Sequence, residues 1–279
     1  MNILITGAGG FIASNIYYRL KDKFNFTRIF SPNQKIQKEQ CHVIDLTSIA
    51  QVKSLAKNLS NTNFDVLIHL ASKVASSENK NDISTLEDNI SITSNMGFLI
   101  KKLCPKYLIH FSSMSVYPNI SGSFSEKSLP MPQMNNDCIY GLSKFASEVL
   151  LDFLLLNEEI RIIHLRLAQV YGEGMRQDRI LPVMRKELEN RNTITLYGNG
   201  ERQSCFINIA RLTEIVNYLI NNKVKGVFNV GEENVSFNDL AKKTIRQYGN
   251  SRSSIIRVHK GSNEKFNLDF SRLQEEMDG

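Results

Sequence analysis

The chain has 279 residues, of which 42% are hydrophobic and 22% are charged, and this composition allows a buried core and excludes a disordered protein. The formal charge of +6 comes from Lys and Arg residues scattered along the sequence, which disfavours nucleic-acid binding. The four cysteines form no C-x-x-C pair, and no apolar run reaches the roughly 18 residues that a membrane span needs. We therefore expect a cytoplasmic protein with no metal site and no contact with membranes or nucleic acids.

Short apolar runs alternate with segments of helical periodicity in the first 170 residues, beginning with MNILITG, which resembles a strand rather than a signal peptide. Strands are predicted at 3–6, 27–30, 41–45, 66–70, 107–112 and 162–167. Helices are predicted at 11–22, 47–59, 84–103 and 140–157. Because the strands lack polar alternation, both faces of the sheet should be covered. This order predicts an α/β fold with a doubly wound parallel sheet.

The composition changes after residue 171, where Gly, Arg and other polar residues become more frequent. We expect loops around one helix near 180–190, followed by a helix at 210–221 and a strand at 227–231. The tail is predicted to contain a helix from 236, a short strand at 254–258 and a terminal helix from about 270. Residues 118–137 are predicted to form a long irregular loop, and loops of this length in compact domains usually border a functional site or are disordered.

The segment TGAGGFIAS follows the first predicted strand and places Gly7, Gly10 and Ala13 at three-residue intervals. Small residues at a strand-to-helix turn let the backbone approach a pyrophosphate, which the helix N-terminus attracts. A tight glycine turn that binds nothing is the alternative. The position after the first strand of an alternating α/β pattern favours a dinucleotide site.

Two further positions bear on that site. Asp45 ends the third predicted strand, where a carboxylate can accept a hydrogen bond from an adenine amino group. Ser31 follows the second strand, where NAD-specific folds place an acidic residue for the ribose 2′-hydroxyl. No arginine follows to bind a 2′-phosphate, and Lys35 is a weak candidate for that role. The choice between NAD and NADP therefore stays open.

A serine and a tyrosine–lysine pair are candidates for chemistry. Ser113 lies at the predicted carboxyl end of a strand, where open parallel sheets bind ligands. Tyr140 and Lys144 are four residues apart, which places both side chains on one face of a helix. The alternatives are a serine that caps a turn and an amphipathic helix with a solvated lysine.

Five segments occur in an order and spacing that resemble a known family, namely TGAGGFIAS, HLAS (69–72), SSMSVY (112–117), YGLSK (140–144) and LRLAQVYG (165–172). Together they resemble the extended short-chain dehydrogenase/reductase family, in its nucleotide-sugar epimerase/dehydratase branch, over nearly the whole chain. The resemblance implies a Rossmann-type doubly wound parallel sheet with a small C-terminal substrate-binding lobe. The dinucleotide-binding domain would comprise residues 1–171 and 207–231, and the lobe would comprise 172–206 and 232–279.

The resemblance also implies roles for the candidate residues. Tyr140 would be the general acid/base, and Ser113 would hydrogen-bond the reacting sugar oxygen. Lys144 would bind the nicotinamide ribose, and its charge would lower the pKa of Tyr140. The residues expected to bind NAD or NADP are Gly7, Gly10, Phe11, Ile12, Ser31, Asp45, Leu46, Leu70, Ala71, Ser72, Asn89, Tyr140 and Lys144. The residues expected to bind a nucleotide-sugar substrate are Lys73, Ser113, Ser115, Gln169 and Arg202.

The sequence departs from the family pattern at two places. Dehydratases of the family carry Asp-Glu directly after the position of Ser113, and here Met114 and Ser115 occupy those positions. Neither side chain can act as that acid or base, which disfavours 4,6-dehydration.

The second departure affects binding of the substrate pyrophosphate. Ser204 and Cys205 replace the Arg-Asp that the family places after its G-x-G. Serine cannot make the bidentate contact of arginine to a phosphate. Arg202 and Lys260 are the candidates to replace the missing cation.

These features leave three hypotheses. The first is a nucleotide-sugar 4-epimerase, and the second is an NAD(P)H-dependent 4-keto-sugar reductase. The third is a catalytically silent dinucleotide sensor, against which the joint presence of Ser113, Tyr140 and Lys144 argues. Members of the family form a four-helix dimer interface, so the resemblance implies a homodimer through the helices near 84–103 and 140–157.

Overall fold

The computed structural model describes residues 1–33, 41–74, 82–222 and 224–279. The strands are β1 (Asn2–Thr6), β2 (Asn25–Phe30), β3 (Cys41–Val43), β4 (Val66–His69), β5 (Tyr107–Ser113), β6 (Gly122–Phe124), β7 (Arg161–Leu167), β8 (Gln169–Tyr171), β9 (Thr193–Tyr197), β10 (Gln203–Asn208), β11 (Gly226–Val230), β12 (Glu233–Ser236), β13 (Ser254–Val258) and β14 (Phe266–Leu268). The helices are α1 (Phe11–Leu20), α2 (Ile49–Asn58), α3 (Ser84–Leu103), α4 (Cys138–Leu154), α5 (Ile180–Arg191), α6 (Ile209–Asn221), α7 (Phe237–Tyr248) and α8 (Ser271–Asp278).

Seven strands form one parallel sheet in the order β11-β7-β5-β4-β1-β2-β3. Chain order runs outward in both directions from β1, so the connections reverse between β1 and β4. Ligands of open α/β sheets bind at such a switch point, outside the carboxyl ends of the strands. The predicted doubly wound parallel sheet is therefore confirmed, and its crevice lies where β1 and β4 end.

Apolar side chains cover the two faces of this sheet separately. One core packs α1 and α6 against the side chains that point to that face, such as Ile3, Ile109 and Ile163. The other packs α2, α3 and α4 against alternating side chains such as Leu4 and Leu108. The alternation follows from the two-residue period of a strand. The alternation also determines which strand residues point towards α4.

The segment after residue 171 differs from the prediction of loops around one helix. It contains α5 as predicted, but β9 and β10 replace two of the expected loops. In β9, Ile194 and Leu196 are buried while Thr193, Thr195 and Tyr197 are not, which is the alternation of a half-covered strand. β9 pairs with β13, and β10 pairs with β8 and β12.

The predicted irregular loop at 118–137 is also structured in part. It contains β6 and a short 3-10 turn, Pro132–Met134. β6 pairs in parallel with β14, whose residues lie more than 140 positions later in the chain. A three-residue strand with so distant a partner has no local sequence signal, which explains the wrong prediction.

The remaining predicted elements are present with shifted ends. The third strand stops at Val43 rather than at residue 45, and α4 covers Cys138–Leu154 rather than 140–157. Within the described parts of the chain, no helix is both long and apolar enough to cross a membrane.

Candidate active site

A glycine turn brings the ends of β1 and β4 together. Gly7 has a φ of +69°, a left-handed conformation that favours glycine. A Cβ atom on Gly7 would lie 2.9 Å from the backbone nitrogen of Ala71, so a larger residue would push the two strand ends apart. The peptide N–H groups of Leu70 and Ala71 both donate to the Thr6 hydroxyl, at 3.2 Å each, and hold this junction closed.

The first turn of α1 faces the same junction. Gly10 is the N-cap of α1, and no side chain caps the helix there. The first N–H groups of a helix have no partner inside the helix and attract anions. This uncapped helix N-terminus at Gly10, with Phe11 and Ile12 in the first turn, is suited to bind the pyrophosphate of a dinucleotide.

The residues predicted to contact the adenosine part of the dinucleotide show fewer specific features than the glycine turn. Asp45 lies just beyond β3, and its carboxylate accepts hydrogen bonds from the backbone N–H and the hydroxyl of Thr47, at 2.9 and 2.7 Å. The next residue, Leu46, is buried, and the Asn95 side chain donates to its carbonyl. Ser31 directly follows β2, as predicted. Lys35 lies outside the described residues.

The structure brings Ser113 and Tyr140 into contact. The phenolic oxygen of Tyr140 lies beside the hydroxyls of Ser113, at the end of β5, and of Ser72, beyond the end of β4. Burial raises the pKa of Tyr140 to about 12, and the charge of Arg179 and both hydroxyls oppose that rise. Tyr140 is therefore a neutral phenol here.

The effect of Lys144 differs from the prediction. Lys144 is buried on α4, one turn after Tyr140, and burial lowers its pKa to about 8, opposed by the charge of Glu148. The cation that acts on Tyr140 is Arg179, in the loop before α5. The sequence showed this segment only as a polar, arginine-rich stretch.

Gly141, between the two candidate catalytic residues, lies against the loop after β5. A Cβ atom there would lie 2.1 Å from the carbonyl oxygen of Ser115 and 3.2 Å from Pro132. An interior helical glycine is normally about 1 kcal/mol less stable than alanine. At this position the backbone contact leaves no space for a methyl group.

We expect Gly141→Ala to destabilise the fold by about 1–3 kcal/mol, because overpacking against backbone outweighs the gain in helix propensity. The change should also lower activity, because it separates the Ser115 loop from Tyr140. Urea unfolding and a turnover assay measure both effects. Gly97→Ala is the control, since Gly97 is also an interior helical glycine and its Cβ would meet only the flexible Leu154 side chain. A variant at 141 as stable as the wild type would contradict the close approach.

Two predicted ligand-binding residues form hydrogen bonds within the protein. The amide of Asn89, which is buried on α3, bonds the backbone N–H and carbonyl of Lys73 and donates to the Ser143 hydroxyl of α4, at 2.7 to 3.0 Å. The Lys73 ammonium donates to Ser84 at 2.6 Å and to Asp88 at 3.1 Å. These contacts fasten the segment after β4 to α3 and α4, beside Ser72.

The residues predicted to bind the substrate, and Lys260, lie on several different elements. Ser115 lies in the 3-10 turn after β5, and its N–H donates to the Ser113 hydroxyl at 3.1 Å. Gln169, on β8, donates to the Ser204 hydroxyl at 2.9 Å. The Arg202 guanidinium stacks 5.0 Å from the centre of the Phe237 ring. Lys260 lies in the exposed segment after β13.

A buried ion pair below the site was not predicted. Arg166 of β7 and Glu148 of α4 bond through both carboxylate oxygens, with a shortest distance of 2.8 Å. Ser112 donates to the same carboxylate, and the second Arg166 nitrogen donates to the Tyr117 hydroxyl at 2.9 Å. Tyr117 in turn donates to the Asn229 side chain. We refer to these five residues as the buried polar network.

The buried polar network also reaches the C-terminal part of the chain. The Asn229 amide donates to the carbonyls of Phe124 and Asp269, at 3.0 and 2.8 Å. Asn229 therefore connects β6 and the residue after β14 to the buried polar network. That network includes Glu148 of α4, the helix that carries Tyr140.

Comparison with known proteins agrees with this architecture. The sequence model of the NAD dependent epimerase/dehydratase family matches residues 3–231. A dTDP-4-dehydro-6-deoxyglucose reductase from Escherichia coli is 28% identical over 67% of this chain and 60% of its own length. A dTDP-D-glucose 4,6-dehydratase from Dictyostelium discoideum is 25% identical over 87% of this chain and 61% of its own length. The matches thus span about three fifths of these relatives.

A solved structure extends the likeness to the fold. The UDP-glucuronic acid 4-epimerase from Bacillus cereus, in complex with UDP-glucuronic acid and NAD, superposes with a TM-score of 0.81 and 25% identity. The superposition covers 99% of this chain and 92% of that one. The sheet and the small C-terminal strands thus have counterparts in a solved structure.

Proposed function

Because the chain belongs to the NAD dependent epimerase/dehydratase family and is an enzyme of it, we propose that it is a nucleotide-sugar 4-epimerase. Such an enzyme oxidises a sugar hydroxyl to a ketone and reduces the ketone again from the other face. The observation that carries the proposal is the contact of Tyr140 with Ser113 at the ligand-binding edge of the sheet, one helical turn before Lys144.

The reaction divides between the dinucleotide and the side chains. A bound nicotinamide would supply the hydride chemistry of both half-reactions. Tyr140 exchanges the proton of the sugar oxygen, and Ser113 holds that oxygen in place by a hydrogen bond. Lys144, which is buried one helical turn after Tyr140, would orient the ribose.

Sugar 4,6-dehydration fits the site poorly. Removal of a hydroxyl needs an acid and a base beside the sugar ring. Met114 and Ser115 form the 3-10 turn directly after Ser113, and neither can supply a proton as a carboxylic acid does.

A 4-keto-sugar reductase is the second candidate, and the protonation state of Tyr140 favours it. Reduction of a ketone consumes a proton, and burial keeps Tyr140 as a neutral phenol that is ready to give one. The similar Escherichia coli protein is named as a reductase of a dehydro-sugar. A reductase would need reduced dinucleotide from solution in every cycle.

One experiment separates the two candidates. The purified protein is first analysed for bound dinucleotide and then mixed with UDP-, GDP-, CDP- and dTDP-sugars, with and without NADH or NADPH. An epimerase carries bound NAD and gives an epimer, identified by NMR, with nothing added. A reductase consumes one dinucleotide for each sugar. If no sugar changes under any condition, the proposal fails.

We propose NAD as the cofactor. The Bacillus cereus structure binds NAD, and the position after β2 is Ser31, with no arginine there to pair with a 2′-phosphate. The substrate would bind between the dinucleotide domain and the lobe formed by 172–206 and 232–279. Arg202 and Lys260 are the candidates to bind its phosphates. A cytoplasmic location, where thiols stay reduced, suits this chemistry.

We also propose a homodimer through α3 and α4. The outer face of α4 exposes Val149 and Phe153, and Leu156 follows the helix. Phe153 is 73% exposed and Leu156 is 76% exposed, although both are large apolar side chains. Exposed apolar patches of this kind are typical of interaction surfaces.

We expect the protein to have the mass of a dimer in light scattering, and Phe153→Glu to shift it towards the monomer because a charge would be buried at the interface. Leu129→Glu is the control, since Leu129 is equally exposed (79%) but lies outside α3 and α4. A wild-type protein that is monomeric at all concentrations would overturn the dimer.

A further inference from the structure

One row of polar side chains crosses the central sheet beneath α4. Thr6, His69, His110 and His164 are paired in register on the neighbouring strands β1, β4, β5 and β7. They point to the face that α4 covers, and all four are buried. Three adjacent histidines in a core are unusual, since imidazole is polar and normally seeks a partner or water.

The row is hydrogen-bonded to an exposed carboxylate. The Nδ1 atoms of His110 and His164 lie 2.8 Å apart, and the His164 Nε2 lies 3.0 Å from the Asp152 Oδ1. The side chain of Asp152, on the last turns of α4, is 61% exposed. A continuous path of hydrogen bonds therefore runs from a buried imidazole to solvent.

The carboxylate sets the direction of these bonds. Asp152 accepts, so the His164 Nε2 carries a hydrogen, and in the tautomer with no second hydrogen on that ring the Nδ1 accepts. His110 must donate from its own Nδ1. Burial, and next the charge of Lys144, lower the pKa of His110 well below its ordinary value, so His110 is neutral. Its Nε2 is thus a bare acceptor at the inner end of the path.

The inner end lies towards the catalytic lysine. Lys144, Glu148 and Asp152 follow one another at four-residue spacing, so all three lie on one face of α4. Glu148 contacts Arg166 and Asp152 contacts His164, which places this face over the polar row.

Lys144 is the charged group that acts on both inner histidines of the row. Burial lowers the pKa of His69 to about 3, with the Lys144 charge as the second cause. Thr6, 2.8 Å from the His69 Nδ1, already accepts two backbone N–H groups and therefore donates to that nitrogen. Glu148 and Arg166 are bonded to each other.

We propose that His110, His164 and Asp152 form a proton path between Lys144 and solvent, a proposal that rests on the hydroxyl–carbonyl chemistry of the proposed function. When a sugar hydroxyl is oxidised, the C–H hydrogen leaves as hydride to the dinucleotide and the O–H proton passes to Tyr140. Because Tyr140 is a neutral phenol, it accepts that proton as it gives its own phenolic proton to the Lys144 amine. The Lys144 ammonium then gives one proton to the His110 Nε2.

The remaining steps conserve the proton. His110 gives its Nδ1 proton to the His164 Nδ1, and the imidazolium formed pairs with Asp152. The His164 Nε2 proton then passes through Asp152 to water. One proton leaves when the hydroxyl is oxidised, after which His110 carries its hydrogen on Nε2 and His164 on Nδ1. Reduction of the ketone in the same turnover runs the sequence backwards, brings one proton in and restores both rings.

Proton exchange in the protein without ligand tests the path directly. The exchange of the His110 Nδ1 hydrogen with water is measured by NMR on ¹⁵N-labelled full-length protein. In Asp152→Asn the amide cannot relay a proton, so the exchange should slow about tenfold. A merely structural role for Asp152 predicts faster exchange, because loosening α4 exposes the imidazoles. Glu159→Gln, which removes an exposed carboxylate after the same helix, should leave the exchange unchanged.

Unchanged or faster exchange in Asp152→Asn would overturn the path. Turnover then tests its use: kcat of Asp152→Ala in dilute buffer should fall about tenfold and recover with added formate, a small acid that can reach the exposed His164 end. Slowed exchange with unchanged kcat would also overturn the proposal. If the wild type turns over no sugar, the proposed function fails while the exchange result still decides whether the path exists.

Discussion

Replacing Tyr140 with phenylalanine is expected to lower kcat for the sugar by about 10²–10⁴-fold, the contribution typical of a positioned general acid/base. The ring and its packing on α4 remain, and only the oxygen that lies beside Ser72 and Ser113 is lost. Dinucleotide affinity should stay unchanged, because the glycine turn at Gly7 and Gly10 is untouched.

Steady-state kinetics and calorimetric titration with NAD measure the two quantities separately. Tyr248→Phe is the control, since it removes a hydroxyl from a half-exposed tyrosine of α7, away from the sheet edge. A Tyr140→Phe enzyme with at least half of the wild-type kcat would remove Tyr140 from the chemistry. Loss of NAD binding would instead indicate that the residue holds the cofactor site together.

Glu148→Gln is expected to reduce the free energy of unfolding by about 3–5 kcal/mol, the usual cost of leaving one member of a buried ion pair without its partner. Burial lowers the pKa of Arg166, but the hydrogen bonds and charge of Glu148 outweigh this and raise it, so Arg166 remains charged. Without the carboxylate, the guanidinium would stay buried beside Tyr117.

A double variant tests whether the cost comes from the unpaired charge. Glu148→Leu combined with Arg166→Met replaces both charges with apolar groups and should be more stable than Glu148→Gln, measured by urea unfolding. Glu189→Gln is the control, because its partner Arg185 is equally exposed and the pair lies on the surface of α5. A double variant less stable than Glu148→Gln would show that the shape of the side chains, and not their charge, determines the contribution of this site to the free energy of unfolding.

The sequence predicted the parts of the fold that local patterns encode. The apolar runs of β1, β4, β5 and β7 and the periodicity of α1 to α4 were sufficient for the parallel sheet. The glycine turn was recognisable because Gly7 and Gly10 directly follow a strand. Tyr140 and Lys144 could be assigned to one helix face from their spacing alone.

Other features depend on contacts between distant segments. β6 is a strand because β14 lies beside it, and nothing in GSF indicates this. The alternation of TITLY in β9 was readable, but the Gly- and Arg-rich flanks favoured a loop. In that case the local pattern was present and was interpreted wrongly.

The electrostatics of the site could not be read from the sequence. Arg179 acts on Tyr140 from a segment 39 positions later in the chain. The histidines of β4, β5 and β7 have no ligand-like spacing in the sequence, and only the strand register places them in one row. A charge or a hydrogen bond depends on distance in space, which residue spacing does not give.

The pairing of β6 with β14 has a consequence for biosynthesis. The ribosome delivers Gly122–Phe124 well before Phe266–Leu268, and domains begin to fold from the N-terminal side during synthesis. Until β14 emerges, β6 has an unpaired edge, and the Asn229 amide lacks the Asp269 carbonyl as a partner. A nascent chain stalled before residue 266 would therefore present that edge to chaperones and proteases.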